Sequence, residues 1–489
     1  MLVPVAAAAV VLLAGGATAA VLLARPGGGL LITPSGRHLL VGHHRSLEAR
    51  LGGGDVAAQW RSSDPQVVAV GAHGQLLART AGSATITASA RGHSGSVTVQ
   101  SVGIRRLRLR LPGTIGYGET ARPRVVETLT DGVTPRVAPL PVRITLLRTG
   151  PLLLTGGGLL GTALGVDTVS ARGPDGPPAR ERVQVVPAVP TNQATATPGF
   201  VPHAPLVVQI DNGPTSDPHT GLQGADIIYE YATEGGITRF TAVFWHLRPA
   251  ATLGPMRSAR LILIPLEQMY RGLAVFSGAS NGTYGNILHD HVPILTDDCC
   301  GQDFYRTSDH VAPSNLFTQG HLLLGALAAQ FPTLARESLP YRLVPPHPDP
   351  LAQGPIRTVT IDQTAANVPS YHYNPVSRTW QRWLNGTPQL DTASGAPIAV
   401  RNLVVLTATW HFVNYVEDVL GNHGIDWVLK GSGPFRAFID GRAFQGTWHR
   451  PAQGLPLLFT LADGRPLPFA TGLTWVEVVA AGTPVTTAG

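Results

Sequence analysis

Two β-branched and aromatic runs joined by a glycine-rich turn most constrain how this chain folds. The run DIIYEYA begins at Asp226, the run ITRFTAVFW begins at Ile237, and Glu-Gly-Gly at 234–236 connects them. Val, Ile, Tyr, Phe and Thr favour extended backbone and glycine favours a tight connection, so this stretch predicts a β-hairpin. Strand side chains alternate between faces, which places Glu230 beside Ile228 on one face. An acidic side chain in so apolar a strand needs a partner or water.

Further charged and amide side chains lie close to this hairpin in sequence. The apolar run Leu206–Ile210 predicts a buried strand, and turn residues follow it at 211–214. Gly-Pro at 254–255 predicts a helix start, with Arg257 and Arg260 on one helix face. We expect these segments to form one cleft, made of Asp211, Asn212, Glu230, Glu234, Arg239, Arg257 and Arg260. Its arginines serve either a structural ion-pair network with the glutamates or an anionic ligand.

An ordered set of short motifs spans the second half of the chain. The pieces are VVQIDN, GADIIYE, EGGITRF and GPMRSAR, then FYR at 304–306, APSNL at 312–316, GSGPFRAFIDGRAFQGTW and GLTWVEVV. With this set, residues from about 205 to 480 resemble a bacterial envelope family, domain of unknown function 3048, which includes YerB-like lipoproteins. The usual Pro-His-Asn of that family reads Pro-Ser-Asn here, at 313–315, and no lipid-modifiable cysteine lies near the N-terminus. The resemblance implies an envelope location but no particular activity.

Short strand-like runs with regularly spaced turn residues fill the first part of the chain. WRSSDP at 60–65, GQL at 74–76 and AGSATITA at 81–88 make residues 30–101 resemble a bacterial immunoglobulin-like group 2 domain. Related pieces recur at an offset of about 83 residues, as in Gly-Val-Asp-Thr-Val-Ser-Ala at 165–171. This weaker repeat predicts a second, degenerate sandwich.

These patterns together predict a multidomain, mainly β protein. One or two N-terminal immunoglobulin-like β-sandwiches precede an α/β or α+β domain and a C-terminal all-β part. The 56 glycines and 42 prolines, with only 13% charged residues, suit short strands and turns better than long helices. The predicted boundaries are 1–25 for a signal peptide or membrane anchor, 30–101 and 103–187 for the sandwiches, 188–204 for a linker, 205–345 for the α/β domain and 358–482 for the β domain.

The N-terminal run Leu2–Ala24 has no charged side chain, and Arg25 follows it. Its length would just span a bilayer as a helix. Ala-Thr-Ala at 17–19 also offers a small-residue cleavage pattern. A cleaved signal and a membrane anchor both remain open. Either one places the rest of the chain outside the cytoplasm, in the cell envelope or the extracellular space, after an N-terminal membrane contact.

The composition of the chain and the spacing of its residues also limit which kinds of partner it can bind. A net charge of +6 suggests affinity for anionic surfaces, but no basic run or reader motif indicates nucleic acid. His-Asp-His at 289–291 and the aspartates at 297, 298 and 303 lack zinc and EF-hand spacing, so we expect no metal and no cofactor. Cys299 and Cys300 are adjacent, which leaves a rare vicinal disulfide or two free thiols.

No known catalytic signature appears, which favours a binding or scaffolding protein for cell-wall polymer or envelope proteins, displayed on immunoglobulin-like spacers. The alternative is a hydrolase of cell-wall glycan, with Glu230 and Glu234 as the paired carboxylates that such chemistry needs. Six tryptophans of the C-terminal part serve either as core residues or as a platform for sugar rings: Trp380, Trp383, Trp410, Trp427, Trp448 and Trp475.

Overall fold

The computed structural model describes residues 29–131, the backbone of 136–137, and residues 142–156, 158–190, 192, 203–334 and 351–489. The predicted signal or anchor at 1–25 lies outside these residues, as does most of the predicted linker. No helix within the described ranges is long and apolar enough to cross a membrane. Contacts divide the chain into two compact units. The first takes the described parts of Met1–Arg108, Val125–Arg143 and Ala171–Ala179, and the second takes those of Leu109–Arg124, Ile144–Ser170 and Arg180–Gly489.

Short strands make up residues 29–186. They are β1 Leu31–Thr33, β2 His38–Leu40, β3 His44–Ser46, β4 Glu48–Leu51, β5 Gly54–Asp55, β6 Gln59–Ser62, β7 Val68–Val70, β8 Gln75–Ala78, β9 Gly82–Ala90, β10 His93–Val102, β11 Ile104–Arg110, β12 Thr114–Gly116, β13 Thr120–Ala121, β14 Arg124–Leu129, β15 Arg136–Val137, β16 Arg143–Leu146, β17 Leu152–Thr155, β18 Gly158–Gly161, β19 Gly165–Arg172 and β20 Ala179–Val186.

In the first unit these strands form the sheets β1-β4-β5, β2-β10-β9-β6, β3-β8-β7 and β11-β14-β15. Alternate residues of β9, such as Ala84 and Ile86, are buried with Val68 and Leu76 in one hydrophobic core. The period of two seen in the sequence therefore does mark a buried face here. Assignment of residues 30–101 to the immunoglobulin-like group stays a prediction, and residues 103–187 contribute strands to both units.

The second unit contains the α-helices of the described residues and most of the strands. From residue 206 they are β21 Leu206–Asn212, β22 Ile227–Ala232, β23 Thr238–Phe244, β24 Thr252–Leu253, α1 Leu263–Tyr270, β25 Leu273–Phe276, α2 Asn281–His289, β26 Ile294–Thr296, β27 Phe304–Arg306, β28 Leu316–Gln319 and α3 Gly320–Gln330. From residue 358 they are β29 Thr358–Ile361, β30 Pro369–Asn374, β31 Thr379–Leu384, β32 Thr387–Pro388, β33 Leu390–Asp391, β34 Ala396–Pro397, β35 Ala399–Val400, β36 Asn402–Thr407, β37 Thr409–Val416, β38 His423–Val428, β39 Gly431–Ile439, β40 Arg442–Arg450, β41 Leu458–Leu461, β42 Thr474–Val479 and β43 Val485–Ala488.

A ten-stranded sheet organises this unit, in the order β26-β25-β21-β23-β22-β42-β36-β39-β40-β41. Its centre is the parallel pairing of β22 with β42, in which Glu230 lies opposite Glu477. The predicted domains 205–345 and 358–482 thus share one continuous sheet. Smaller sheets accompany it: β12-β20-β19-β16, β13-β18-β17, β24-β28-β27, β33-β34, the β37-β38 ribbon and β32-β31-β30-β29-β43, with β35 beside β31.

Each face of the ten-stranded sheet is covered by its own hydrophobic core. One core joins residues such as Tyr229 and Tyr231 of β22 to α1. The other joins Ile228, on the opposite face of the same strand, to Tyr371 of β30 and to α3. A sheet covered on both faces has strands that are apolar throughout, and β21 and β23 are buried at every residue. Charged side chains that point from these strands therefore face a core.

The predicted fold class is confirmed, because the described chain is a mainly β, multidomain arrangement. The hairpin is also confirmed: β22 and β23 pair antiparallel, and a 3-10 turn at Glu234–Gly236 connects them. The predicted helix start at Pro255 is wrong, since α1 begins only at Leu263. The chain is extended around Pro255 because its oxygen accepts the Asp211 N–H at 3.0 Å and Met256 bridges to Ile210 of β21. A helix would break this pairing.

Candidate binding site

The structure distributes the predicted site residues over both faces of the ten-stranded sheet. Arg239 lies opposite Asp211 in register, and Phe240 lies opposite Glu230. Because successive strand residues point to opposite faces, Asp211 and Arg239 share one face, whereas Glu230 and Asn212 share the other. The seven residues therefore form two polar clusters rather than one cleft.

The first group, the arginine cluster, contains Arg239, Arg257 and Arg260 together with Asp211, Glu234 and Glu417. Arg260 donates from Nε to Glu234 Oε1, and its Nη1 lies 3.5 Å from Glu417 Oε1. Arg257 Nε lies 3.3 Å from Asp211 Oδ2, with 30% of the Arg257 side chain exposed. Three arginines thus face three carboxylates. Of the two readings of the sequence, this geometry favours a structural ion-pair network.

Arg239 is the least well paired member of the arginine cluster. Its Nη1 donates to Ser258 O at 2.9 Å, while its Nε is buried without an acceptor among the described residues. Burial, and then the positive charge of Arg260, lower the pKa of Arg239 to about 9. A guanidinium with that pKa is still protonated at neutral pH, so Arg239 contributes a desolvated positive charge.

The segment before α1 carries Arg257 and Arg260 into the arginine cluster as an extended strap. The Arg257 N–H donates to Gln209 O at 3.1 Å, and Arg257 O accepts from Ser277 N–H at 3.0 Å. Ser314, which replaces the histidine usual in the resembling family, donates from Oγ to Asp211 Oδ2 at 2.7 Å. Backbone pairing, rather than a helix face, therefore places these side chains.

The second group, the glutamate cluster, lies on the opposite face and is closed to solvent. Arg382 Nη2 donates to Glu230 Oε2 at 2.6 Å, and both side chains are 0% exposed. Asn212 Nδ2 donates to Glu230 Oε1 at 3.1 Å. The Arg382 guanidinium also lies 4.8 Å from the centroid of the Trp475 ring. Glu230 thus has the partner that its apolar strand demanded, and no substrate reaches it in this closed arrangement.

Glu477 sits beside Glu230 in the same cluster. Tyr371 donates from its hydroxyl to Glu477 Oε1. Burial and the neighbouring Glu230 charge raise the pKa of Glu477 well above its usual value, although Arg382 opposes the shift. Glu477 therefore favours the protonated, neutral form in the folded protein.

We expect Glu477→Gln to stabilise the protein at alkaline pH. A carboxyl whose folded pKa is raised contributes stability below its unfolded pKa and loses that stability as the pH rises through the folded value. Glutamine mimics the protonated acid, accepts from Tyr371 and does not titrate. The difference in melting temperature, variant minus wild type, should grow between about pH 5 and pH 8. A difference independent of pH would show that Glu477 is not the titrating group.

An open pocket of about 610 Å³ lies between the β22–β23 turn and the β37–β38 ribbon; we call it the turn pocket. Gly235 and Gly236 line it with φ values of 76° and 72°, and an added Cβ at either would meet nothing within 4 Å. Phe412, with 61% of its surface exposed, and Ile425 provide apolar walls. The polar lining consists of Thr233, Glu234, Thr364, Asn422 and His423.

Glu234 belongs to both the arginine cluster and the turn pocket. Its Oε1 pairs with Arg260, while its Oε2 is buried without a hydrogen-bond donor among the described residues. Trp410 lies just outside the pocket lining and supports Phe412, because the two ring centroids are 5.0 Å apart and Trp410 is 39% exposed. The pocket therefore combines the aromatic wall of Phe412 with the polar side chains of Thr364, Asn422 and His423. These two features suit a ligand with an apolar face and hydroxyl groups.

Most of the C-terminal tryptophans are core residues. Trp380, Trp427, Trp448 and Trp475 are each at most 4% exposed. Trp410 is the exposed one of the six, and Trp383 is half-buried. The sugar platform considered from the sequence therefore reduces to Trp410 and its neighbour Phe412. No sequence pattern marks Phe412 as a site residue, because only the fold brings it next to the β22–β23 turn.

The structure does not bring the histidines and aspartates of residues 289–303 together as a metal site among the described residues. Among the residues that the structure describes, no group of three or more His, Cys, Asp or Glu side chains is arranged to hold a metal ion. His289 is an exposed residue that contacts Asp290, its neighbour in sequence. Cys299 and Cys300 are free cysteines, with their sulfur atoms 2.6 Å apart.

Comparisons with known proteins agree with the motifs around both clusters. A family model described as the N-terminal domain of a protein of unknown function, DUF3048, matches residues 190–333, and the model of its C-terminal domain matches residues 358–476. The two matches together span more than half of the chain. The chain belongs to the DUF3048 family. The shared ten-stranded sheet therefore joins the N-terminal and C-terminal domains of this family.

A relative and a solved structure support the family. The Bacillus subtilis (strain 168) protein named "Putative lipoprotein YerB" is 28% identical over 279 residues, which cover 56% of this chain and 81% of that protein. The crystal structure of the YerB protein from Bacillus subtilis matches with a TM-score of 0.51 and 25% identity, covering 61% of this chain and 99% of that one. Domains 4 and 5 of the S-layer protein SbsC match with a TM-score of only 0.19.

Proposed function

We propose that this chain is an exported envelope protein whose turn pocket binds an uncharged glycan segment of a cell-wall polymer. The observation that carries the proposal is the exposed Phe412, packed against Trp410, beside Gly235 and Gly236 and the polar pocket residues Thr364, Asn422 and His423. A pyranose ring has a C–H face that packs on an aromatic ring, and its hydroxyl groups form hydrogen bonds with hydroxyl, amide and imidazole groups such as those lining the pocket. The pocket volume of about 610 Å³ lies within the usual range of roughly 300–1,000 Å³ for ligand sites.

The charges nearby support an uncharged ligand over an anionic one. Arg260 is paired with Glu234 and Glu417, and Arg257 is paired with Asp211. An anion at these arginines would have to displace carboxylates that already neutralise them, and the desolvated Glu234 would repel it. The arginine cluster then serves to hold the turn and the ribbon in place around the pocket.

The envelope location rests on the family and on the relative that is named a lipoprotein. The apolar run at 2–24 would supply export and membrane contact, as a cleaved signal or as an anchor. The sheets of residues 30–187 would act as a spacer that holds the binding domain away from the membrane. A binding domain held away from the membrane in this way could also take an envelope protein as its partner.

The alternative function, hydrolysis of wall glycan by Glu230 and Glu234, gains no support from the geometry. A glycosidase needs two carboxyl groups on opposite sides of one scissile bond. Glu230 is fully buried against Arg382 on one face of the sheet, whereas Glu234 bonds Arg260 at the turn. These two carboxylates do not line one cleft.

We expect Phe412→Ala to weaken retention of the purified chain on cell-wall glycan by about tenfold or more, since loss of a central aromatic anchor costs about 2 kcal/mol. Co-sedimentation with peptidoglycan sacculi, analysed over a range of sacculus concentrations, gives the apparent affinity. Val416→Ala is the matched control, because Val416 lies on the same strand, is 52% exposed and does not line the pocket. Equal retention of both variants would contradict the proposal, and soluble fragments released from the sacculi would favour the hydrolase.

A further inference from the structure

A second concave surface, the arginine groove, lies on the C-terminal half of the ten-stranded sheet, over β36, β39, β40 and β42. It has a volume of about 540 Å³ and is distinct from the turn pocket. Val405, Arg436 and Gln445 stand side by side in register across three of these strands. The polar side chains that line it are Thr407, Arg436, Gln445, Thr447 and Thr483.

Arg436, like Arg239, has few partners compared with the other buried and half-buried arginines of this unit. Arg382 and Arg260 each pair with a glutamate, and Arg450 donates to three backbone oxygens, those of Leu455, Leu429 and Pro265. Among the described residues, Arg436 makes one hydrogen bond, from Nη1 to Val485 O at 3.1 Å, and has no carboxylate within ion-pair distance. Its remaining N–H donors are therefore available in the groove.

The surroundings of Arg436 leave its positive charge partly desolvated. The guanidinium lies 5.3 Å from the centroid of the Phe438 ring, which holds one face of it against an apolar surface. Partial burial lowers the pKa of Arg436, with no acidic neighbour to oppose the shift. A half-desolvated guanidinium without a counter-ion is stabilised by any oxyanion that enters, because a charge-assisted hydrogen bond forms in a partly water-excluded site.

We propose that the arginine groove binds a single oxyanion, a phosphate or carboxylate group, with Arg436 as the charged anchor. The hydroxyl groups of Thr407, Thr447 and Thr483 and the amide of Gln445 supply neutral donors around it. Such groups occur in the phosphodiesters of wall polymers and in the carboxylates of wall peptides. The net charge of +6 gives the whole chain a long-range attraction for either source. This site is independent of the glycan proposed for the turn pocket.

Titration of the full chain with inorganic phosphate and, separately, with acetate tests the proposal. The readouts are the NMR shifts of the Gly446 and Thr447 amides, with sodium chloride at matched ionic strength as the blank. Arg436→Gln should weaken the response about tenfold or more, since hydrogen bonds to charged groups contribute about 1.5–3 kcal/mol. Arg442→Gln, an exposed arginine at the start of β40, should respond like the wild type. A stronger response to phosphate points to the phosphodiester source, and a stronger response to acetate points to the peptide source.

Thr447→Val provides a second variant, because Thr447 is exposed in the groove and its substitution spares the core. It should weaken the response of the other amides in the groove, while the melting temperature stays that of the wild type. No response to either anion in the wild-type chain would overturn the proposal. So would an equal response of Arg436→Gln, or a response that chloride reproduces.

Discussion

Arg382→Met should destabilise the protein by about 3–5 kcal/mol at neutral pH, because it removes one partner of a fully buried ion pair. The arginine is 0% exposed, and its Nη2 donates to Glu230 Oε2 at 2.6 Å. Without it, Glu230 would be an uncompensated charge beside Glu477, inside a core formed by rings such as Phe240 and Trp475. The free energy of unfolding from urea titration measures this loss directly.

The pH dependence separates lost charge compensation from lost packing. Protonation neutralises the orphaned carboxylate, so the Arg382→Met variant should recover part of its stability as the pH falls from about 7 to about 5. A packing defect alone would be insensitive to pH over that interval. The double variant Arg382→Met/Glu230→Gln should also recover stability, because a neutral amide replaces the buried charge. If the double variant is no more stable than the single one, charge compensation by Arg382 is not what holds this core together.

The sequence predicted the local elements near this cluster well. The β22–β23 hairpin follows from β-branched runs on either side of Glu-Gly-Gly, and each of these signals acts over a few residues. The need of Glu230 for a partner also follows from the apolar strand around it. Its partner, Arg382, lies 152 residues away in sequence. No local pattern links the two, so the ion pair becomes visible only in the fold.

The failures of sequence reasoning have a common physical cause. Pro255 fits a helix start by its local preference, but backbone groups of this segment pair with β21, and tertiary pairing overrides that preference. The single cleft failed because Asp211 and Asn212 are neighbours in sequence yet point to opposite faces of the same strand. Phe412 lies almost 180 residues after the β22–β23 turn in sequence and reaches the turn pocket on the β37–β38 ribbon. Local motifs therefore could not assign it to this site.

Arg260→Met should destabilise the chain far more than Arg257→Met, and the comparison tests whether the arginine cluster is structural. Arg260 is 8% exposed and forms ion pairs with Glu234 and Glu417. Glu234 Oε2 and Glu417 Oε1 are both buried without hydrogen-bond donors among the described residues. Its removal leaves two buried carboxylates, which should cost about 3–5 kcal/mol at neutral pH. Arg257 is the comparison variant, because 30% of its side chain is exposed and its buried partner Asp211 keeps donors from Ser314 Oγ and the Gly213 N–H, so the loss of Arg257 should cost less.

The pH profile and a coupled variant complete the test. Burial already raises the pKa of Glu417, and Arg260 partly opposes that shift. Without Arg260 the folded pKa of Glu417 rises further, so the variant should lose more stability at about pH 8 than at about pH 5. Adding Glu234→Gln to Arg260→Met should restore part of the loss, since it removes one orphaned charge. If instead Arg260→Met melts like the wild type but no longer sediments with sacculi, the arginines contact the ligand, and the structural interpretation of this cluster is wrong.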